Sequence, residues 1–378
     1  SRRVEAMVVV GGRSSANTQR LGEIARDMGC DVFMVETEKE LNYIALANYT
    51  CIGVTAGAST PTWLINRVVR TLEAIPGKGE GRLRSLFFKG RWLLLATNFY
   101  VGLGGGILAF TCGLLQNVAP KLSHFLIGFG YIFAMHNFNR FTDPKAEKFN
   151  DPIGGLFTRP NRWLMLSVSA LALTMALALS AGFGLRPFLL LTGMSFLGIL
   201  YSVQFIPRFL MPILRIRMLK EIPGSKTFFV AMAWALVTTV LPAWEASRAG
   251  PRTMGVLLFV LLLIYVRSAL FDVFDVQADR LVGKETLPVL IGEKRTLVFL
   301  HYLMGLLVIL LFFLPIVGLM TSLGYWFIPA VIYLVRLTLL YEKEIIRAGP
   351  KLDFLLESMI IIGCGFVWIG QYVYYSAA

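Results

Sequence analysis

The sequence predicts a mainly α fold: a polytopic nine-helix transmembrane bundle preceded by a small soluble α/β lobe with a parallel sheet. Three observations predict it. The chain of 378 residues is 56% hydrophobic and only 16% charged, with a mean hydropathy of +0.67, outside the soluble globular range. The hydrophobicity is uneven, because residues 1 to about 80 alternate short β-branched runs with amphipathic stretches, whereas almost everything after Phe87 is long apolar runs. Lysine and arginine then gather in alternate loops between those runs.

Taken in order, "AMVVVGG" is a β-branched strand, "TQRLGEIARDMG" a helix ended by Gly29, and "DVFMVE" a second strand. "KELNYIALAN" reads as a second helix, "CIGVTAG" as a third strand, and "PTWLINRVVRTLEAI" as a helix opened by Pro61. Strand and helix in strict alternation imply a small parallel sheet with covering helices. "PGKGEGRLRS" is a Gly- and charge-rich linker. The boundaries are 1–75 for the lobe, 76–86 for the linker and 87–378 for the membrane domain.

Nine apolar spans follow, each near the ~20 residues that cross a bilayer. Their cores are 91–115, 121–138, 163–182, 186–205, 227–245, 253–274, 296–317, 323–341 and 354–375. With the N-terminus inside, the inner loops carry Arg140, Lys145, Lys148, Arg159 and Arg162, then Arg208, Arg215, Arg217, Lys220 and Lys226. The next inner loops add Arg280, Lys284, Lys294 and Arg295, then Lys343, Arg347 and Lys351. The outer loops hold only Lys121, Arg186, Arg248 and Arg252. That bias predicts a multi-pass protein of a bacterial-type cytoplasmic membrane, in contact with membrane lipid, with its soluble lobe in the cytoplasm. No signal peptide precedes the lobe, which agrees with that side. The net charge of +13 is then a topology charge, and no nucleic-acid partner is expected. Cys30, Cys51, Cys112 and Cys364 are scattered, with no CxxC, and predict neither a disulfide framework nor a zinc site.

Against this background "NRFTDPKAEKFNDP", from Asn139, and "FDVFDVQADRLVGKETLP", from Phe271, are out of place. Carboxylates at the edges of apolar spans are costly and need a reason. Asn139, Asp143 and Glu147 are spaced by four, so they share one face if the second span continues inward as helix. Asp272, Asp275 and Asp279 step by three and four and again fall on one stripe. Like charges on a stripe repel unless cations sit between them. Oxygen-only ligands on a partly open site favour Mg²⁺, which usually shares a phosphate-bearing substrate. Arg140, Arg159, Arg215, Arg217, Lys220, Lys226 and Lys284 surround the same place, and carboxylates with basic residues and Mg²⁺ form a diphosphate cradle. His136, one turn before the first motif, reads as a helix-end histidine, and His124 and His301 read as structural.

The second motif, "DVFDVQADRLVGKETLP", closely resembles that of the UbiA-type intramembrane prenyltransferases, D-x-x-D-x-x-x-D followed by Gly and T-L-P. The first is looser: the family usually has Asp after Asn, whereas Arg140 follows Asn139 here, so the number of metals is open. "LYSVQFIP", from Leu200, resembles the family's Tyr-Ser turn after helix four. The likeness covers residues 88 to 376. It implies a UbiA-like bundle in which Mg²⁺ bridges Asn139, Asp143, Glu147, Asp272, Asp275 and Asp279 to the diphosphate of a prenyl donor. It implies further that Arg140, Arg159, Lys220, Lys226 and Lys284 neutralise the leaving group, and that Tyr201 faces the allylic cation. A hydrophobic acceptor, aromatic and quinone-precursor-like, then takes the isoprenyl or polyprenyl group. The alternatives are a non-aromatic acceptor, such as a glycerol phosphate or sugar phosphate lipid, and a non-catalytic lipid-binding scaffold or transporter. A transporter would place polar residues on broken helices near the midplane, whereas these acids lie at one surface.

"VVVGGRSSANTQRL" lacks the Gly spacing of a GxGxxG loop. With "VTAGASTP" it resembles instead the last of the three lobes of 4-hydroxy-3-methylbut-2-enyl diphosphate reductase. On that resemblance Ser15, Asn17 and Ser59 match polar contacts to the substrate diphosphate, while Ala16 replaces a usual serine. The family's cluster-binding cysteines lie upstream of this lobe, so no iron–sulfur cluster is expected in this chain. Upstream reductase lobes, or another isoprenoid-pathway enzyme, are the partners the resemblance implies.

Overall fold

The structure is a computed structural model that describes residues 4–46, 48–73, 90–91, 93–142, 160–202, 224–346 and 348–377. The described residues fall into two compact units that divide between Leu93 and Leu94.

In the first unit, β1 (Ala6–Val10), β2 (Asp31–Val35) and β3 (Ile52–Ala56) form a three-stranded parallel sheet in the order β2-β1-β3. Val8 lies opposite Phe33 on one side and Val54 on the other. The continuous β-branched run of β1 suits its central place, since a parallel strand is covered on both faces. Helix α1 (Ala16–Asp27) ends where expected: Gly29 takes φ 80°, and Cys30 N–H returns to the Ala25 carbonyl. The expected second helix is shorter than its periodicity suggests. A 3-10 turn at Glu38–Glu40 is followed by α2, which spans only Tyr43–Leu46. One local bond and one tertiary contact divide it. Asn42 Oδ1 accepts the Ala45 N–H, starting a new turn, and Glu38 is drawn to Arg67 of α3 (Thr62–Glu73) at 2.8 Å. Val8, Val10, Val35, Leu41, Leu46 and Val68 form this unit's own core.

The second unit is a helical bundle. Its elements are α4 (Phe99–Gln116), α5 (Leu122–Thr142), α6 (Arg162–Gly182), α7 (Leu185–Ser202) and α8 (Ser225–Glu245). There follow α9 (Pro251–Phe274), α10 (Val276–Val282), α11 (Leu287–Ile291), α12 (Glu293–Ile316), α13 (Ile328–Glu342) and α14 (Pro350–Ala377). Seven helical stretches are long and apolar enough to cross a membrane. With α5, whose histidines and asparagines lower its hydropathy, and α7, the described residues contain the nine long stretches expected. The first is shorter than expected. Asn98 adopts a left-handed φ of 57° and separates α4 from the helical residues before it, and its side-chain amide donates to Asn137 Oδ1 at 2.9 Å. A π turn at Leu236–Val240 interrupts α8.

Helix α9 is the centre of the bundle. Phe259, Val260, Leu263, Ile264, Leu270 and Val273 are all fully buried along its length, as befits a helix that is apolar all round. By contrast α6 and α12 expose Leu171, Tyr302, Ile309 and Ile316, the surface expected to meet lipid. Helices α4 and α5 cross closely, and a Cβ on Gly128 would stand 2.8 Å from the Gly105 carbonyl oxygen; small residues permit such crossings in membranes. The connections after α4, α8 and α12 are bonded together at one end. Arg248 donates to the Asn117 carbonyl (2.9 Å), Arg252 to that of Gly318 (3.2 Å) and the Thr321 N–H to that of Leu115 (2.9 Å). There too Lys121 and the buried His124 both meet Glu245, at 2.5 and 3.3 Å.

Among the described residues, one ion pair sits inside the apolar bundle. Arg267 of α9 donates from Nε to Glu357 of α14 at 3.0 Å and from Nη2 to the other carboxylate oxygen, and both residues are buried. The guanidinium also lies over the rings of Trp234 (5.2 Å) and Phe271 (5.1 Å). Removing one partner of such a pair strands a buried charge, which costs about 3–5 kcal/mol. Glu357→Ala is therefore expected to lower the unfolding midpoint of the detergent-solubilised protein sharply, and the charge-free pair Arg267→Met with Glu357→Leu to recover most of the loss. A Glu357→Ala variant with the wild-type midpoint would show that the pair is not buried as described.

Candidate active site at one end of the bundle

The second acidic motif begins where α9 ends. The helical ladder runs to the Asp275 N–H, which donates to the Phe271 carbonyl at 2.9 Å, and resumes when the Asp279 N–H donates to the Asp275 carbonyl at 2.9 Å. Asp275 sits at this joint with φ −99° and ψ 5°, in the sparsely used bridge region. The expected single stripe is therefore bent. Asp272 lies on α9, Asp275 at the break, and Asp279 on the short helix α10. Gly283, in the left-handed conformation, ends α10, and the Lys284 N–H closes the turn on the Asp279 carbonyl at 2.9 Å. Thr286 occupies the N-cap position of α11 without a side-chain cap bond, and Pro288 stands in the first turn. The "GKETLP" run is thus a helix stop followed by a helix start.

Each carboxylate has a distinct setting. Asp272 Oδ2 accepts a 2.6 Å hydrogen bond from Thr227 Oγ1, in the first turn of α8. Asp279 is buried, with Lys284 Nζ 3.8 Å from its Oδ1. Asp275 is half-buried. Their donor chemistry, carboxylate oxygen alone, is that of a hard divalent cation. Among the described residues, however, no group of three or more His, Cys, Asp or Glu converges on a metal position.

The first motif is partly described. Helix α5 does continue past residue 138, to Thr142, which carries Asn139 and Arg140 into its last turn. Both are half-buried, and Arg140 donates to the Ala96 carbonyl. Asp143, Glu147, Arg159 and Lys220 lie outside the described residues. Tyr201 is on the last turn of α7. Lys226 is exposed beside Thr227 at the start of α8. The ends of α5 and α9 and the start of α8 thus share one end of the bundle. The ring of His136 on α5 packs edge-on against Trp234 of α8, 6.0 Å between centroids, and Trp234 in turn meets Arg267 of α9.

In the first unit, Ser15 precedes α1, Asn17 lies in its first turn, and Ser59 follows β3. Strands β1 and β3 are neighbours, so all three residues gather at the carboxyl edge of the sheet, where open α/β sheets present a ligand crevice. Ser15 is half-buried, and Asn17 and Ser59 are exposed.

Sequence reading missed Thr227, Arg267 and Glu357. The last two had a signal, since an ionisable residue inside an apolar span invites a search for its partner. Thr227 had none, because a lone threonine at a helix start is ordinary.

Comparison with known proteins matches both units. The UbiA prenyltransferase family profile matches residues 155–351, and that of the LytB protein residues 1–73. A UbiA homolog from Archaeoglobus fulgidus, solved bound to GPP and Mg²⁺, superposes with a TM-score of 0.53 at 19% identity, covering 75% of this chain and 99% of that one. One from Aeropyrum pernix K1 gives 0.54 at 12%, covering 70% and 97%. At these identities the likeness shows the fold. The 4-hydroxy-3-methylbut-2-enyl diphosphate reductase of Wolinella succinogenes is 44% identical over 77 residues, which are 20% of this chain and 28% of that protein. That of Nitratidesulfovibrio vulgaris is 51% identical over 75 residues. The chain spans little more than a quarter of the length of these reductases.

Proposed function

The chain belongs to the UbiA prenyltransferase family, and from that premise we propose that it transfers an isoprenyl or polyprenyl group from its diphosphate to an aromatic acceptor within the membrane. The observation that carries this reading is the acidic turn at the end of α9, which presents Asp272, Asp275 and Asp279 at the same bundle end as Asn139 and Arg140.

The candidate metal-holding residues are these five without Arg140, joined by Asp143 and Glu147. Bound there, Mg²⁺ would supply positive charge to balance that of a leaving diphosphate. The chain's own residues do the rest. Arg140, Arg159, Lys220, Lys226 and Lys284 offer donors to the leaving diphosphate, stabilising charge as it develops. The apolar bundle excludes water, which would otherwise capture an allylic cation. Tyr201, at the end of α7, is the ring assigned to face that cation. The side of the membrane follows from the lysine and arginine bias, which puts the motifs and the first unit in the cytoplasm.

The first unit is assigned a supporting role: either docking of further reductase lobes, or recruitment of a small isoprenoid diphosphate at Ser15, Asn17 and Ser59, near helix N-termini that favour anions. Reduction of that ligand is not assigned to this chain. Iron–sulfur ligation draws on converging cysteines, whereas Cys30 and Cys51 are in one unit and Cys112 and Cys364 are buried in the other.

Asp275→Ala or Asp143→Ala is expected to abolish Mg²⁺-dependent release of diphosphate from a prenyl donor, since each removes an anionic ligand. Wild-type release by both would refute the metal-site assignment. The acceptor is tested in the same assay by offering a hydroxylated aromatic acid against a glycerol phosphate lipid, with prenylation of the aromatic expected.

Topology has its own check. Cysteines introduced at positions 148 and 284 are expected to react with an impermeant maleimide only from the cytoplasmic side, and one at 248 only from the other. Reversed labelling would invert the orientation.

Deleting residues 1 to 80 is expected to leave prenyl transfer measurable in detergent, because every ligand assigned to the transfer lies beyond residue 138. Complete loss of transfer in a folded deletion variant would overturn this division of labour.

A further inference from the structure

We propose that Thr227 is a positioning residue for the acidic turn: its hydroxyl orients the Asp272 carboxylate so that the other oxygen is offered to a divalent cation. This inference rests on the metal-dependent reading above. The Thr227 Oγ1 to Asp272 Oδ2 distance is 2.6 Å, the length of a charge-assisted O–H···O⁻ bond. Thr227 is 5% exposed, and a β-branched side chain packed in a helix has few χ1 choices, so the position of its hydroxyl oxygen is set by the backbone of α8.

The local sequence favours an anion at this place. The N-cap of α8 is Gly224, at φ 70° and ψ −2°, which has no side chain with which to cap the first turn. The start of a helix carries partial positive charge, and Asp272 lies against it through Thr227. A carboxylate can accept about four hydrogen bonds or ligand bonds. The hydroxyl takes one position on Oδ2 and leaves Oδ1 for a cation.

A second link between the same two helices separates orientation from mere packing. Seven residues further along α8, Trp234 lies against the guanidinium of Arg267, and Arg267 is locked to Glu357 of α14. Helices α8 and α9 are therefore held together two turns deeper in the bundle without any help from Thr227. What the Thr227 bond adds is the direction of one carboxylate. Outer partners of this kind typically change metal affinity by about 10- to 100-fold when removed.

The test uses the full chain in detergent and Mn²⁺ as the probe, with free Mn²⁺ followed by its electron paramagnetic resonance signal during titration. Thr227→Val keeps the shape and removes the donor, and is expected to weaken Mn²⁺ binding about 10-fold or more. Thr227→Ser, which restores a hydroxyl, is expected to bind within about threefold of wild type, a small part of the loss attributed to the missing donor. The unfolding midpoint should be the same in all three. Asp272→Ala serves as the reference. If it binds Mn²⁺ as wild type does, the metal reading itself fails. If it weakens binding while Thr227→Val does not, the positioning role fails and the metal reading stands. Equal weakening by Thr227→Ser and Thr227→Val would overturn the proposal by removing the hydroxyl from the explanation. So would a fall in midpoint that parallels the loss of affinity, since the threonine would then act on stability alone.

Discussion

An arginine and a glutamate placed in an apolar bundle each lose several kcal/mol of hydration, and they persist there only by compensating one another. Arg267 and Glu357 meet that condition through two hydrogen bonds, with Trp234 and Phe271 over the guanidinium faces. The consequence is directional. Hydrophobic burial would tolerate rotation of α9 about its axis, because the helix is apolar on all sides. The ion pair would not, because turning Arg267 away from α14 strands both charges. The side of α9 that faces α14 is thereby set, and with it the direction in which the acidic turn emerges five residues later.

From that anchor the candidate site is built in short steps. Asp272 lies one turn and a half beyond Arg267 and meets the start of α8. At Asp275 the helix breaks, and Asp279 falls on the separate short helix α10. A straight helix would have stacked three carboxylates on one stripe, where their repulsion is greatest. The break gives each its own surroundings: a threonine hydroxyl for Asp272, a lysine 3.8 Å away for Asp279. Gly283 then reverses the chain before the next span.

Much of this was legible in the sequence because the bilayer imposes length and polarity on every span. The spans, the acidic motifs and the β-α alternation of the lobe follow from patterns that one chain carries by itself. The departures are places where a tertiary partner overrides a local pattern. "KELNYIALAN" has helical composition, yet Glu38 turns to Arg67 and Asn42 starts a fresh turn, so only Tyr43–Leu46 is α-helical. The first span reads as continuous, yet Asn98 leaves the helix to bond Asn137. The stripe of aspartates was expected from spacing, and spacing has no means of showing that Asp275 leaves the helical conformation. Thr227 was invisible for the same reason: its importance lies in Asp272, forty-five residues away in the chain.

The two units carry different physics, and this bears on what a shared chain achieves. The first has an independent core of Val8, Val10, Val35, Leu41, Leu46 and Val68, and its candidate polar residues sit at an exposed sheet edge. An anion recruited there, as proposed above, would keep most of its hydration, and no bond in it would be activated. The second unit gathers its candidate ligands where apolar helices end, with Asp279 and Thr227 buried and Asp275 half-buried. In that low-dielectric setting the same diphosphate charge would interact far more strongly with the proposed carboxylate-held metal and with lysine or arginine. Recognition of a small isoprenoid diphosphate therefore suits the water-exposed edge, and breaking its carbon–oxygen bond suits the membrane bundle. On that proposal, a chain that holds both would raise the local concentration of donor for the transfer, an effect set by tethering alone and independent of any contact between the units.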